Sequence, residues 1–411
     1  MFDKSKIWVK RKYYDTVNSI AFYPAFIALM FLVAAYVTIT LDFSEFGKSL
    51  KSNFSWLTLK DASTARSIIS TILAGILSLT VFSFSMVMIV LNQAASQMSN
   101  RILDKLIGNR FQQMVLGVYI GTIVFALFLL STIRDIESHL SIPVLSTYLL
   151  IIFTIFDIFL FIYFLHYITQ SVKYEVIINR IYDDTKESMD VECSYEKPLL
   201  IALKIESNYT INGPRSGIFE GFAEEPLLKL CEENDFSLSF LHTKSTFLFK
   251  GQPVAMVSKQ LDEKVATKIS ESFLYHEEER IENNFFYGFK QLTEIALKAL
   301  SPGINDPGTA IVSMRSLFVL LLKRNLAHPK LIFEDSNLQQ RVVMKEQTFE
   351  EIFERTVMPI WDYGKTDRLL IREMYQLLLQ LSNVTDSISV KKMLKSVEHQ
   401  ITNRNDDVNV S

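Results

Sequence analysis

Long apolar stretches dominate the first part of the chain and alternate with short polar connections. Four of them, approximately residues 19–41, 67–91, 113–132 and 142–168, contain enough apolar side chains to span a bilayer. A helix needs roughly 18 to 25 such residues to cross a hydrocarbon core of about 30 Å. The pattern therefore predicts a membrane domain of four transmembrane helices over residues 1–170.

The second stretch separates polar from apolar side chains around its axis. At about 100° per residue, its small and polar side chains fall within roughly a quarter turn, and the opposite arc carries aliphatic residues such as Ile72, Ile76 and Leu79. The candidate pore-lining or packing residues are Ser67, Thr71, Ser78, Ser85, Asn92 and Ser96, with Ala74 and Ser99 on the same arc.

Two interpretations of this polar arc stay open. Hydroxyl and amide groups can replace the lost hydration of a permeating ion or solute. Small and polar residues also let helices approach closely and hydrogen-bond in lipid. Both interpretations can be true if copies of the helix pack around a common axis, so we expect a homo-oligomer.

The pattern changes at about Gln170, beyond which no apolar run is long enough to span a membrane. Short alternating segments predict a cytosolic β-rich module over residues 171–260, resembling a small barrel or sandwich. The predicted strands are 200–205, 217–222, 237–241, 247–250 and 254–257, and one helix is predicted over 226–233. Turn signals lie at Asn212-Gly213-Pro214 and Lys250-Gly251-Gln252-Pro253.

Helical periodicity returns after Lys259 and predicts a cytosolic helical domain over residues 261–411. Helices are predicted over 271–300, 307–325, 347–358 and 365–381. The first would place Phe285, Phe289 and Leu292 on one face. The complete predicted fold is thus a four-helix membrane domain followed by an α+β region.

Charge is sorted along the chain, although the net charge is only −3. Lys and Arg concentrate at the amino terminus, in the second connection and after the last span, whereas the third connection has only Arg134 among acidic residues. The first connection carries Lys48, Lys51 and Lys60, which are offset by Asp42, Glu45 and Asp61. The distribution predicts that both termini lie in the cytoplasm, although these lysines reduce the contrast. The balanced total gives no basic field for nucleic acid, and Cys193 and Cys231 are expected to be free thiols in a reducing compartment.

Asp157 lies near the middle of the fourth span. A carboxylate at that depth costs several kcal/mol unless it is paired, protonated or hydrated. We expect it to face the interior of the bundle, with either proton transfer or packing as its role.

The string from Ala299 to Ala310, ALSPGINDPGTA, is the most unusual in the chain. It predicts a helix end at Ser301, a stiff turn, and a helix start with Asn305 or Asp306 as N-cap and Pro307 at the first helical position. The amides near Thr309 could hold an anion, but an aspartate cap would occupy the same amides. The two interpretations are a ligand site and a structural turn.

No established catalytic signature stands out. The chain has no phosphate-binding glycine loop, no nucleophile elbow and no zinc-protease motif. We therefore expect no enzymatic activity, no cofactor and no metal site. An enzyme would require a pocket holding a perturbed carboxylate near Arg280.

Four strings make the chain resemble the domain of unknown function 2254 family of predicted bacterial integral membrane proteins. They are Gln93–Gln97 (QAASQ), Tyr163–Tyr167 (YFLHY), Ser216–Phe219 (SGIF) and, above all, Ala299–Thr309. The resemblance implies four spans and a cytosolic region in a bacterial inner membrane. Where such proteins often have an acidic residue before a Phe-Gly pair, this chain has Asn284 before Tyr287-Gly288.

Two function classes follow from these patterns. The first is a homo-oligomeric channel or pore for ions or small solutes with a cytosolic regulatory vestibule. The second is a non-conducting sensor or scaffold whose cytosolic region binds a ligand or a protein, with Ser301–Thr309 as the candidate site.

Overall fold

A computed structural model describes residues 21–46, 49, 61–97, 110–133, 143–171, 173–196, 205, 207–276 and 279–409. Side chains are described within these ranges except for residues 94–97 and 404–409. The chain divides into two compact units, which meet in sequence at Tyr174. We call them the membrane unit and, after the location that the sequence predicts for it, the cytosolic unit, and each is described separately.

The membrane unit contains four helices that are long and apolar enough to span a bilayer. They are α1 (Phe22–Phe43), α2 (Ala62–Gln97), α3 (Arg110–Thr132) and α4 (Val144–Ser171). The prediction of four membrane helices followed by a mixed α and β region is confirmed.

The third helix is the most buried of the four. Its glycines allow α1 to approach, because a Cβ at Gly117 would lie 2.6 Å from Ile27 and one at Gly121 would lie 2.7 Å from the ring of Phe31. Small residues four positions apart are a common means of close helix packing in lipid. The outer faces of α1 and α4 expose large apolar side chains such as Phe26 and Phe159, as expected for contact with acyl chains.

Asp42, near the end of α1, holds the start of α4. Its carboxylate accepts hydrogen bonds from the amides of Leu145 at 2.9 Å and Ser146 at 2.8 Å, and from the Ser146 hydroxyl at 2.6 Å. The first amides of a helix lack partners within the helix, so an acidic side chain there is stabilising. The contact brings the end of the first span to the beginning of the fourth.

The cytosolic unit begins with helix α5 (Tyr174–Glu192) and continues into three sheets, one of them of only two short strands, and a helical layer. Its other helices are α6 (Glu224–Glu233), α7 (Glu263–Glu271), α8 (Phe286–Leu300), α9 (Pro307–Leu326), α10 (Phe349–Gly364), α11 (Arg368–Ser382) and α12 (Ile388–Asn409).

Ten short strands are assigned among the described residues. They are β1 (Cys193–Ser194), β2 (Thr210–Asn212), β3 (Gly217–Phe222), β4 (Leu238–Phe240), β5 (Thr246–Leu248), β6 (Pro253–Val257), β7 (Phe273–His276), β8 (His328–Pro329), β9 (Ile332–Glu334) and β10 (Gln340–Val343).

Two sheets enclose an aromatic core. One has the order β2-β6-β4-β10-β9 and the other β5-β3-β7. The pair β10–β4 is parallel, and its neighbours are antiparallel. The rings of Phe219 and Phe240 lie 5.2 Å apart in the core, with Phe236 and Phe273 in the same apolar cluster.

Several strands come from the part of the chain where the sequence predicts helices. The continuous helix predicted over 271–300 is wrong, because β7, a short 3-10 turn over Ile281–Asn283 and then α8 occupy that range. Phe273 and Tyr275 are buried while Leu274 and His276 are exposed, and this alternation is that of a strand. The strand predicted at 200–205 lies largely outside the described residues.

Candidate functional site

The polar arc of α2 faces away from the other helices of its own chain. Ser67, Thr71, Ser78, Ser85 and Asn92 are all exposed, whereas the side chain of Ser96 and all of Ser99 lie outside the described residues. On the opposite side, Ile69 and Ile76 are buried in the bundle.

One line on the exposed face of α2 follows a regular spacing of alternating four and three residues. Positions 67, 71, 74, 78, 81, 85, 88 and 92 are exposed, and they carry Ser, Thr, Ala, Ser, Val, Ser, Met and Asn. We call this line the α2 seam. A repeat of 3.5 residues keeps one face against a neighbouring helix in a left-handed crossing. The hydroxyls of Thr71 and Ser78 also donate to carbonyls one turn earlier, at 2.8 and 2.9 Å.

Asp157 lies inside the bundle and has no exposed surface. Three other buried polar side chains share the interior of the membrane unit: Ser83 on α2, and Tyr119 and Thr122 on α3. No hydrogen-bond partner is present for either carboxylate oxygen of Asp157 or for these three hydroxyls.

The Ser301–Thr309 turn has the backbone that the sequence indicates. Helix α8 ends at Leu300 with Ser301 as its C-cap, and Asp306 is the N-cap of α9, with Pro307 following it. The Asp306 carboxylate accepts from the Thr309 amide at 3.1 Å and from the Thr309 hydroxyl at 2.6 Å. These bonds hold the pKa of Asp306 below its usual value. The carboxylate thus occupies the amide that an anion would need.

Asn305 adopts a left-handed backbone, with φ of 50°. Asparagine tolerates this conformation better than most residues. Asp306 also lies close enough to Tyr174, the first residue of α5, to raise the pKa of that phenol, although burial is the larger cause.

The cytosolic unit contains a cleft, and none of the binding residues predicted from the sequence lines it. Its volume is about 400 Å³. Apolar side chains such as Phe222, Phe333 and Met344 form part of its wall, and Lys244, Lys330 and Lys345 also line it. The rings of Phe222 and Phe333 are 5.0 Å apart.

Glu220 is the buried acid of this cleft, with 6% of its surface exposed. One of its oxygens accepts from the Tyr287 hydroxyl, and the other accepts from the Asn284 amide nitrogen at 3.3 Å. Asn284 also donates to the Ser245 hydroxyl at 2.7 Å. Burial raises the pKa of Glu220 to about 7, despite the opposing effect of the two hydrogen bonds.

A second acid, Glu192, connects other residues that line the cleft. The Glu192 carboxylate, at the end of α5, accepts from Lys244 at 2.6 Å and from the amide of Phe285 at 3.2 Å. Lys330 is paired with Glu224 at 2.7 Å. The cleft therefore contains mostly compensated charges around the single buried acid Glu220.

Only indirect signals in the sequence point to this site. Asn284 stands where the family often has an acidic residue, and it donates a hydrogen bond to Glu220 that an ionised carboxylate could not provide. Ser216–Phe219, another of the quoted strings, opens the strand that carries Glu220. Arg280 is not among the described residues that line the cleft.

Metal ligands do not converge anywhere in the part of the chain that the structure describes, where no group of three or more His, Cys, Asp or Glu side chains is arranged to hold an ion. Cys193 and Cys231 are both free thiols.

Comparison with known proteins identifies a family. The family model described as "Predicted membrane protein (DUF2254)" matches residues 17–380. No curated protein and no solved structure gives a significant match. Because the family match covers nearly the whole chain, this protein belongs to the DUF2254 family of predicted membrane proteins.

Proposed function

We propose that the protein is a homo-oligomer of the bacterial inner membrane in which copies of α2 surround a path for ions or small solutes. The observation that carries this proposal is the direction of the α2 seam. Its hydroxyl and amide side chains point away from the chain's own bundle, while Ile69 and Ile76 point into it. Large apolar side chains such as Phe82 and Ile89 are exposed beside the seam. Lipid is a suitable neighbour for them, whereas the row of hydroxyl and amide groups favours a protein or polar neighbour.

The spacing of the seam supports a second copy of α2 as its neighbour. A line with a period of 3.5 residues stays on the contact side of two helices that cross at about 20°. Small residues at these positions permit a close approach, and the Ser and Thr hydroxyls can bond either to a neighbouring helix or to a permeating solute. Asn92 adds an amide that is costly to leave in lipid.

The cytosolic unit would form the regulatory vestibule of this assembly. The proposal places both termini in the cytoplasm because the amino terminus and the segment after the last span are rich in Lys and Arg, whereas the third connection has only Arg134. The proposal includes no catalytic activity.

The test of conduction is flux through the purified protein in liposomes under voltage, tension or osmotic shock. Ser85→Leu should reduce flux strongly, because it replaces a hydroxyl of the seam by a larger apolar group. Ser131→Leu is the matched control, since Ser131 is an exposed serine at the end of α3. Absence of flux in the wild type under all three stimuli would exclude a passive pore.

The assembly is tested separately by disulfide crosslinking. With Cys193 and Cys231 replaced by serine, Ser85→Cys should give a crosslinked dimer in the membrane. Phe159→Cys, on the exposed face of α4, should give much less. Equal crosslinking at the two positions would remove the support for α2 as the contact helix.

The cleft around Glu220 favours a second candidate function, that of a ligand-binding sensor. A concave site of about 400 Å³ with apolar walls and a few polar groups is typical of small-molecule sites. In this alternative the membrane helices transmit the state of the cytosolic unit without conducting. The symmetry of the purified assembly separates the two functions, because a ring with an open axis supports conduction and a dimer with a dry interface supports signalling.

A further inference from the structure

In the described part of the membrane unit, four polar side chains that have no exposed surface also have no hydrogen-bond partner. They are Ser83, Tyr119, Thr122 and Asp157, each with 0% of its surface exposed. Together they offer five oxygen atoms without a hydrogen bond: three hydroxyls and both oxygens of the carboxylate. Buried polar atoms in proteins nearly always have a partner, so an unmatched group points to something that the protein chain itself does not supply.

These side chains belong to one site. The Thr122 hydroxyl interacts with the Asp157 carboxylate, and the Tyr119 hydroxyl interacts with Ser83 and with the charge of Asp157. The approaches do not reach hydrogen-bond geometry. Tyr119 and Thr122 are three residues apart on α3 and therefore lie on the same face. Three helices thus contribute oxygen atoms to one connected cluster.

Apolar side chains close the site along the bundle in both directions. One apolar cluster contains Phe125 and Leu150, with Phe153 packed against it. The other contains Val115 and Phe164, with Leu160 packed against it. Asp157 lies between Phe153 and Leu160 on α4. Its carboxylate is therefore shielded from bulk water.

A single carboxylate among neutral hydroxyls matches one positive charge. An unpaired carboxylate at this depth is costly and needs a cation or a proton. Calcium takes six to eight oxygen ligands, commonly from several carboxylates, and magnesium keeps much of its water. Neither suits a dry site with one acid.

We propose that Ser83, Tyr119, Thr122 and Asp157 bind one dehydrated monovalent metal cation inside the bundle of each chain. Sodium is the probe for this site. The proposal is independent of conduction along the α2 seam, because Ser83 is buried on the inner side of α2 whereas Ser78 and Ser85 are exposed on its outer side.

The experiment uses the full chain in detergent or nanodiscs, with sodium chloride replacing choline chloride at constant total salt. Sodium should raise the midpoint of thermal unfolding in a saturable way, because a ligand that binds only the folded state stabilises it. Equilibrium binding of radioactive sodium should saturate at one ion per chain. A midpoint that is the same in sodium and choline would overturn the proposal.

Single-residue variants test whether the response to sodium depends on the proposed site. Asp157→Asn should fold and lose the response to sodium, while Thr122→Val should need at least about tenfold more sodium, as expected from losing about 1.4 kcal/mol of binding free energy. Ser131→Ala, at an exposed serine at the end of α3 that belongs neither to the site nor to the seam, should respond as the wild type does. An unchanged response in both site variants would assign sodium binding elsewhere.

A protonated carboxyl is the competing explanation of the same geometry. It would show itself as a midpoint that depends on pH in the wild type and not in Asp157→Asn, with no dependence on sodium at any pH. That outcome would overturn the cation site. If Asp157→Asn fails to fold, the sodium midpoints of Thr122→Val and Ser83→Ala decide instead.

Discussion

Each of the two units contains a buried carboxylate, but the two carboxylates differ in the hydrogen bonds that they receive. Glu220 of the cytosolic unit receives hydrogen bonds from Tyr287 and Asn284. Asp157 of the membrane unit is fully buried and receives none from the chain. Asp42 shows that the membrane unit can satisfy an acid, because three donors of α4 bind its carboxylate.

The difference separates two uses of a buried acid. An acid with partners from its own chain ties elements together, as Glu220 joins β3 to the start of α8. An acid that lacks such partners leaves a free-energy cost that a ligand, a proton or water must offset. The predictions below test this contrast, beginning with the largest expected effect.

Replacing a tightly packed glycine by alanine should destabilise the cytosolic unit more than the membrane unit. A Cβ at Gly288 would clash with the hydroxyl and Cβ of Thr185, a buried β-branched residue. At Gly121 the neighbour is the ring of Phe31, which is only partly buried. Gly288→Ala should therefore cost about 3 kcal/mol or more, and Gly121→Ala about 1 to 2 kcal/mol.

Thermal unfolding of the full chain and hydrogen exchange in peptides of α5 and α8 measure this effect. Gly303→Ala is the control, because no heavy atom lies within 4 Å of a Cβ at that position. Similar results for Gly288→Ala and Gly303→Ala would show that α5 and α8 do not meet as closely as the structure indicates.

The titration of Glu220 should make the stability of the cytosolic unit depend on pH. Its pKa rises from 4.5 to about 7 on folding because burial disfavours the charged form. Between these values the unfolded chain has released the proton that the folded chain retains. Stability should therefore fall by up to about 3 kcal/mol as pH rises from about 4.5 to 7, and this contribution should then level off.

Hydrogen exchange of peptides from β3 and α8 across this pH range, corrected for intrinsic exchange, measures the fall. Glu220→Gln should remove it, because glutamine does not titrate. Glu233→Gln, at an exposed glutamate of α6, should leave it in place. A wild-type profile without any decrease between pH 5 and 7 would contradict the raised pKa.

The same chemical change in the two units gives the most direct comparison. Tyr287→Phe removes a hydroxyl that donates to Glu220 and should cost about 1 to 2 kcal/mol. Tyr119→Phe removes a buried hydroxyl without a partner, so in sodium-free buffer it should be neutral or slightly stabilising. Thermal unfolding in choline chloride compares them, and an equal loss in both variants would mean that Tyr119 has a partner in the protein.

The sequence predicted features that depend on local spacing. The membrane helices, β3 and the cap of α9 follow from apolar length, alternation and the order Asp306-Pro307. The same periodicity placed Asp157 in a span. It could not say which residues on other helices surround the carboxylate, because Ser83, Thr122 and Asp157 are brought together only by packing.

The cleft is the feature that local sequence patterns could least predict. Glu220 and Tyr287 are 67 residues apart and are joined across elements whose arrangement no local pattern specifies. The prediction of one helix over 271–300 also missed β7, because a strand of four residues has too few alternating positions to be recognised next to a long apolar helix. The glycines of α3 could have been found, because Gly117 and Gly121 are four residues apart in an apolar span.

The smallest effect is expected at the Ser301–Thr309 turn, whose acid is satisfied locally. Asp306→Ala removes the cap of α9 and should cost about 1 kcal/mol. Asp306→Asn should cost less, because asparagine also caps helices well. Thermal unfolding at neutral pH measures both changes.

The pH dependence of this cap has the opposite sign to that of Glu220. Hydrogen bonds from Thr309 lower the pKa of Asp306 below 3.8, so the unfolded chain binds a proton before the folded chain does. The contribution of the charged cap is complete above that value and is lost as pH falls through the lowered pKa. Stability of the α9 start in Asp306→Asn should therefore approach that of the wild type in acid. A difference between the two proteins that stays constant from neutral pH to pH 3 would contradict capping by the ionised carboxylate.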